Sequence, residues 1–230
     1  MNSERFLIVN ADDFGASTGV NRGIVECHVN GILTSASMMV TGAAASEAAS
    51  LAREHRDLSV GLHWDCWGED EREFDLDDEQ AIRDEFSRQL EAFYTLMGQP
   101  PTHVDTHRHA HRKWNGRLMP LFSELVEPLN VPLRDDGRVR FVGHFYAQWR
   151  WGVTELDRIS VPALIRLLHE KVQPGWTEIS CHPGYRSPGY RSIYLDEREV
   201  EVRTLTDPRV QSAVEEVGIS LVGYDRWGGG

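Results

Sequence analysis

Residues 7–15 read "LIVNADDFG", in which the end of an apolar run is followed, two residues later, by the adjacent aspartates Asp12 and Asp13. The apolar run predicts a buried strand near residues 6–10. In α/β folds, catalytic and ligand-binding groups concentrate where parallel strands give way to loops. A pair of carboxylates at such a strand end therefore indicates a functional site, provided that other polar side chains meet it there.

Composition restricts the kind of protein that this chain can be. Its 230 residues, 40% of them hydrophobic, suffice for one well-packed core, which predicts a single domain over residues 1–230. The formal net charge of −12 argues against nucleic acid and anionic membranes as partners and favours a neutral or cationic small substrate. Three scattered cysteines provide neither a disulfide framework nor a paired zinc motif.

The sequence also predicts the location of the protein. No stretch approaches the ~20 apolar residues of a membrane helix, and the first residues do not resemble a signal peptide. We therefore expect a cytoplasmic protein with no membrane partner. Whether it forms a homodimer stays open.

Short apolar segments alternate along the chain with segments of helical periodicity. Strands are predicted near residues 6–10, 33–40, 58–63, 102–107, 131–134, 177–182 and 219–223. Helices are predicted over residues 17–31, 46–56, 78–98, 116–129, 160–175 and 207–218. The acidic run 69–79 predicts a solvated loop. About seven β–α repeats predict an α/β fold whose parallel strands form a barrel or a wound sheet.

Histidines follow three further predicted strands. "VGLHWD" ends one strand at His63, "PTHVDTHRHAH" ends one near His107, and "TEISCHPGY" ends one at His182. In a parallel barrel the carboxyl ends of the strands meet on one face, so these imidazoles and the aspartate pair are expected to converge. An aspartate with two histidines and an open position is a common ligand set for a hydrolytic metal ion.

The histidine-rich stretch is compatible with two conformations. If it is extended, alternate residues from His103 to His111 share one face, and if it is helical, every fourth residue does. Both conformations retain His107 at the site. The preceding double proline favours a strand, so the run is expected to span the strand-to-loop junction, where the other histidines orient ligands or touch substrate.

Five motifs stand in a fixed order: "NADDFG", "GLH", "HVDTHRHAH", "VPLR" and "EISCHPGY". As an ordered set over residues 6 to about 224, they resemble the YdjC-type carbohydrate deacetylases. The resemblance implies a distorted (β/α) barrel that removes acetyl groups from N-acetylated sugars with one divalent metal ion, with zinc and magnesium as the first choices. Residue by residue, it implies metal ligands at Asp13, His63 and His107, a catalytic base at Asp12, a catalytic histidine at His182 and an active-site arginine at Arg134.

These residue types suit the hydrolysis of an amide. A metal ion polarises the carbonyl and lowers the pKa of its bound water towards ~7. Asp12 takes the proton of the water, His182 protonates the leaving amine, and Arg134 keeps Asp12 ionised through a forked hydrogen bond. The two adjacent aspartates are thus expected to have different roles, since one binds the metal while its neighbour transfers a proton.

Further residues are expected to bind the substrate, namely Trp64, Asp105, His109 and His111. Trp64 directly follows a predicted ligand, and many members of the family carry other residue types after "GLH" than this chain does. The segment between His63 and the helix near residue 80 is also short for the family, which favours a small substrate.

Two other functions fit part of the pattern. A phosphoesterase would use Asp105, His109 and His111 for a second ion, but the ordered motifs speak against it. A catalytically inactive sugar-binding barrel would usually have lost one of the six implied site residues, and all six are present.

The stretch "GASTG", residues 15–19, matches a serine-hydrolase elbow by chance, and we expect Gly15 to form a turn and Ser17 or Thr18 to begin a helix.

Overall fold

The fold is built on one parallel sheet in a computed structural model that describes residues 4–66, 77–112, 116–150 and 152–228. Most of the predicted acidic loop lies outside these residues. The seven strands are β1 (Arg5–Phe14), β2 (Ser35–Met38), β3 (Ser59–Trp64), β4 (Val104–Thr106), β5 (Arg140–Val142), β6 (Gly175–Cys181) and β7 (Ile219–Leu221). All six strand pairings are parallel.

Strand β1 organises the sheet because it pairs with three others. The order is β4-β3-β2-β1-β6-β5, and β7 pairs with residues 5–7 of β1 while β2 pairs with residues 10–14. Beyond β4 the sheet continues through one parallel bridge between Val104 and Leu133. The predicted distorted (β/α) barrel is therefore confirmed, with the carboxyl ends of all its strands on one face.

Helices connect the strands, and all but one of them lie where the sequence predicts a helix. They are α1 (Thr18–Asn30), α2 (Ala45–Glu54), α3 (Glu79–Met97), α4 (Met119–Val126), α5 (Val161–Lys171), α6 (Asp196–Leu205) and α7 (Pro208–Val217). Ser17, Ser160 and Asp207 cap three of them through side-chain oxygens, as expected for these residue types. Among the described residues, no helix combines the length and the apolar character needed to cross a membrane.

The prediction of a strand at 131–134 is wrong, because the fifth strand lies at Arg140–Val142. Pro132 has no backbone N–H with which to extend a ladder. The N–H of Leu133 is bonded instead to the side chain of Asp136, at 2.9 Å, which turns the chain away after a single bridge.

Helix α6 is a second departure from the sequence prediction, which placed no helix at residues 196–205. Its buried residues include the charged side chains Glu197, Arg198 and Glu201. An apolar periodicity therefore cannot reveal it, since the face that it buries is largely polar.

The two faces of β1 bury different kinds of side chain. Leu7, Val9 and Ala11 belong to the main hydrophobic core between the sheet and the helices. The alternate positions point to the other face, where Ile8 packs in a small separate cluster with Val139 and Tyr224. Above Ile8 on this inner face come the polar residues 10 and 12, which are also buried. The barrel interior thus changes from apolar to polar towards the carboxyl ends of its strands.

The close approach of β3 to the start of β4 yields a stability prediction. A Cβ atom on Gly61 would lie 2.4 Å from ring atoms of His103 and 2.5 Å from its carbonyl oxygen. We expect Gly61→Ala to cost about 1–3 kcal/mol of unfolding free energy, typical of an overpacked interior. Thermal unfolding should show this as a melting temperature lower by about 2–4 °C per kcal/mol.

Gly228→Ala is the matched control for this substitution, because its new Cβ would meet no atom within 4 Å. A melting temperature of Gly61→Ala equal to those of the parent and the control would contradict the close packing of these two strands.

Candidate metal and catalytic site

Asp12 and Asp13 end β1 at an irregular point of the strand. The register with β2 shifts between Ala11 and Phe14, and Asp13 has a φ of 69°. This left-handed conformation is uncommon outside glycine, but aspartate and asparagine adopt it more readily than most residues. Because of it, the carboxylates of two successive residues are both buried at the same end of the barrel.

The structure brings the three predicted metal ligands together. Asp13 Oδ1 lies 3.4 Å from His63 Nε2 and 3.2 Å from His107 Nδ1, and the two imidazole nitrogens are 3.2 Å apart. With metal–ligand bonds of about 2.1 Å, neighbouring ligands of a tetrahedral ion lie about 3.4 Å apart. Asp13 Oδ1 is buried, and no hydrogen bond of normal geometry from the described residues reaches it. This triangle therefore fits one divalent cation.

The outer atoms of two of these ligands, His63 and Asp13, contact other side chains. His63 Nδ1 lies 2.6 Å from Asp105 Oδ1, so a proton on Nδ1 leaves the Nε2 lone pair for a cation. Arg198 Nη2 donates to Asp13 Oδ2 at 2.5 Å. Burial alone would raise the pKa of Asp13, but Arg198 and the two imidazoles hold it well below its usual range. The ligand atoms are thus held in place from behind.

Arg134 is buried among three carboxylates. Its Nη1 and Nη2 donate to the two oxygens of Asp12 at 2.8 and 2.7 Å, and its Nε donates to Glu178 Oε1 at 2.8 Å. Nη2 also lies 2.7 Å from Asp105 Oδ2. Burial alone would raise the pKa of Asp12, but Arg134 holds it below its usual value. The forked hydrogen bond predicted from the sequence is therefore present, and it keeps Asp12 as a carboxylate.

His182 lies on the other side of Asp12. Its Nε2 is 3.7 Å from Asp12 Oδ2, and its backbone N–H donates to Glu201 at 2.5 Å. The rings of Tyr146 and Tyr194 lie 5.3 and 5.6 Å from its imidazole. Burial lowers the pKa of His182 to about 4, although Asp12 and Asp13 act against the shift. The imidazole is therefore neutral at pH 7 in the metal-free site.

Three residues predicted to bind substrate lie behind the site rather than at its surface. Trp64 is fully buried, with its ring 5.0 Å from that of Phe122. It follows His63 along a strand, so it points to the opposite face. Asp105 is also fully buried and contacts His63, and His111 is fully buried with its Nδ1 2.6 Å from Thr106 Oγ1. These placements correct the prediction that the three side chains contact a sugar.

His109 has a different environment from its neighbours. It is partly exposed, and with Arg108 it forms two successive left-handed residues, at φ values of 51° and 53°. Its ring lies 5.5 Å from that of Phe141. Within the described residues, the groups spaced to hold a metal ion are Asp13–His63–His107 and Asp12–His63–Asp105. Neither includes His109 or His111, so the second-ion site of a phosphoesterase is not formed there.

Several residues that contact the candidate site were not predicted from the sequence. Glu178 stands four residues before His182, so the period of two along a strand places both on the inner face and would have revealed it. Arg198 and Glu201 lie on helix α6, which no apolar pattern predicts. Tyr194, whose hydroxyl donates to Glu201 at 2.5 Å, precedes the same helix.

Comparisons with known proteins show to which family the chain belongs. The family model described as "YdjC-like protein" matches residues 6–216. The chain is 34% identical to the carbohydrate deacetylase of Geobacillus stearothermophilus, over 96% of this chain and 97% of that one. It is 31% identical to the chitooligosaccharide deacetylase of Serratia marcescens, over 95% and 97%.

The fold is found in a solved structure as well. An Enterococcus faecalis V583 protein named for cellobiose-phosphate cleavage superposes with a TM-score of 0.84 at 26% identity. The superposition covers 97% of this chain and 98% of the other. Both the sequence match and the shared fold extend over nearly the whole chain, and the chain therefore belongs to the YdjC-like family.

Proposed function

We propose that this protein is a metal-dependent carbohydrate deacetylase that hydrolyses the acetamido group of an N-acetylated sugar or short oligosaccharide. The observation that carries this proposal is the position of Asp12, an Arg134-bound carboxylate next to the triangle of ligand atoms. Support comes also from the curated relatives, which are named carbohydrate and chitooligosaccharide deacetylases.

Asp13, His63 and His107 are the residues that would hold the ion, for which zinc and magnesium are the first choices. When bound, a divalent ion supplies a Lewis acid that polarises the acetyl carbonyl and makes water more acidic. His107 is the most accessible of the three, with 20% of its side chain exposed, so substrate would approach from its side.

Asp12 would act as the general base. Arg134 keeps it ionised and oriented, and Asn10 Nδ2 also donates to its Oδ1 at 3.1 Å. A carboxylate with a lowered pKa is a weak base, so after it has taken a proton from water it releases that proton readily. This property suits a group that passes a proton on.

His182 would receive that proton and deliver it to the leaving nitrogen. Because burial keeps its imidazole neutral at pH 7, it must gain a proton before it can act as an acid. Asp12 Oδ2, 3.7 Å from His182 Nε2, is the nearest source. One proton thus moves from water to Asp12, to His182 and to the amine, and the acetyl carbon exchanges its C–N bond for a C–O bond.

Two alternatives fit the geometry less well. A phosphoesterase with a second ion lacks support, since His109 and His111 do not join a ligand group within the described residues. In a sugar-binding barrel without activity, the buried Arg134–Asp12 pair next to the ligand triangle would have no role. Buried ions are costly to maintain, so such a protein would be expected to lose them.

Removal of the metal tests the proposal as a whole. We expect exhaustive chelation to abolish acetate release from N-acetylglucosamine and its oligosaccharides, and a single equivalent of a divalent ion to restore it. Elemental analysis of the chelated sample is the control. Full activity in a sample without detectable metal would contradict the proposed chemistry.

The adjacent aspartates are expected to respond differently to the same isosteric change. Asp13→Asn should weaken metal binding together with activity, whereas Asp12→Asn should bind metal like the parent and lose turnover by about 10²–10⁴-fold, as for a missing general base. Isothermal titration with zinc and steady-state acetate release measure the two effects. Parental metal affinity in both variants would show that Asp13 is not a ligand.

Replacing His182 tests its role as the acid. Protonation matters most for a basic leaving group, so His182→Ala should reduce kcat/KM far more for an acetamido sugar than for an aryl acetate. His169→Ala, at an exposed position of α5, is the control and should change neither substrate. Equal losses on amide and ester would leave His182 with a binding role only.

A further inference from the structure

Exposed apolar side chains lie on two segments whose neighbouring residues, Tyr146 and Tyr194, pack beside His182. Within the described residues, six large hydrophobic side chains are exposed. Four of them form what we call the outer patch: Trp149, Val153, Leu156 and Ile193. Trp149 contributes most to it, with 52% of its surface exposed. An exposed indole of this kind, grouped with other apolar side chains, marks a binding surface.

The outer patch is held in a defined conformation. Arg150 and Val153 form an antiparallel bridge, and the N–H of Glu155 donates to Ala147 O at 2.8 Å. Gln148 Nε2 donates to Ile193 O at 2.8 Å and so ties the two segments of the patch together. A surface that is ordered before a ligand arrives loses less entropy when it binds.

Two neighbouring side chains lie close to the indole of Trp149. The guanidinium of Arg158 lies 5.4 Å from the centre of the Trp149 ring, and the imidazole of His144 lies 5.7 Å from it at a tilt of 45°. About half of the tryptophan still faces solvent. The platform therefore combines an apolar face with cationic and imidazole donors at its border.

The outer patch continues into the catalytic group. The ring of Tyr146 lies 5.3 Å from that of His182 and stacks on Tyr194 at 4.7 Å, with 8° between their planes. Trp149 follows Tyr146 by three residues, so their Cα atoms lie within about 11 Å of each other. A short oligosaccharide with its reacting ring at His182 spans this distance.

The chemistry of the platform matches a sugar better than a protein. A pyranose ring has C–H groups that pack on an aromatic face and hydroxyls that bond to donors at the edge, and Trp149 with its neighbours offers both. A stable protein partner buries about 800 Å² on each side, which four partly exposed side chains cannot supply.

We propose that Trp149 is the stacking platform for an outer ring of an oligosaccharide whose N-acetylated ring lies at His182. The inference rests on the proposed function and adds a residue that selects for chain length. It revises the preference for a small substrate that the short segment after His63 indicates.

The test compares N-acetylglucosamine with the trisaccharide of chitin as substrates. Trp149→Ala should lower the ratio of kcat/KM for trisaccharide over monosaccharide by about tenfold, mainly through KM, in line with the worth of an aromatic contact. Trp149→Phe, which keeps an aromatic face, should lower it by less. Tyr94→Ala removes another exposed ring, 41% exposed against 52% for Trp149, from α3 and should leave the ratio unchanged.

Binding measurements separate this proposal from the proposed function. Tryptophan fluorescence or calorimetry with Asp12→Asn should show trisaccharide binding that is lost when Trp149→Ala is added. If the parent releases no acetate but this binding pattern holds, the deacetylase proposal fails and the platform stands. An unchanged ratio, no binding of the trisaccharide, or equal effects of Trp149→Ala on both sugars would overturn the proposed role of Trp149.

Discussion

The site depends on one buried cation shared by three acids. Arg134 bonds to Asp12 on β1 and Glu178 on β6, and also contacts Asp105 on β4. One positive charge cannot balance three negative ones, and burial raises the pKa of Glu178 even though Arg134 and Tyr224 donate to it. Removing one partner of a buried ion pair typically costs about 3–5 kcal/mol, so the loss of this arginine would destabilise the fold as well as release the Asp12 carboxylate.

Helix α6 contacts both the ligand triangle and His182. Arg198 bonds to Asp13 and, at 3.3 Å, to the carbonyl of His182, while Glu201 accepts from the N–H of His182 one turn later. A shift of this helix would therefore move the ligand triangle and His182 together. The layout explains why the charged residues of α6 face inward, at a cost that an apolar helix would not have.

Local signals in the sequence predicted much of the fold, and the features that were predicted wrongly or missed have separate physical causes. The apolar run before Asp12 and the cap at Ser17 act within a few residues, so strands, helix starts and the convergence of strand ends could be inferred. The fifth strand was misplaced because a hydrogen bond from Leu133 to Asp136 turns the chain. Trp64 was misassigned because the residue next to His63 along a strand points to the opposite face of the sheet. Helix α6 was missed because it buries charged side chains whose partners lie far away in the chain.

The position of β1 at the centre of the sheet has a consequence for how the molecule is made. Its first residues pair with β7, its later ones with β2, and its aspartates bond to Arg134 and Arg198, which are 122 and 185 residues away. During synthesis the first strand therefore leaves the ribosome long before most of its partners exist. Contacts of such long range make folding slow, and an apolar strand that is exposed before its partner strands have been synthesised is prone to aggregate. The machinery of this site is assembled last, after nearly all of the chain has been translated.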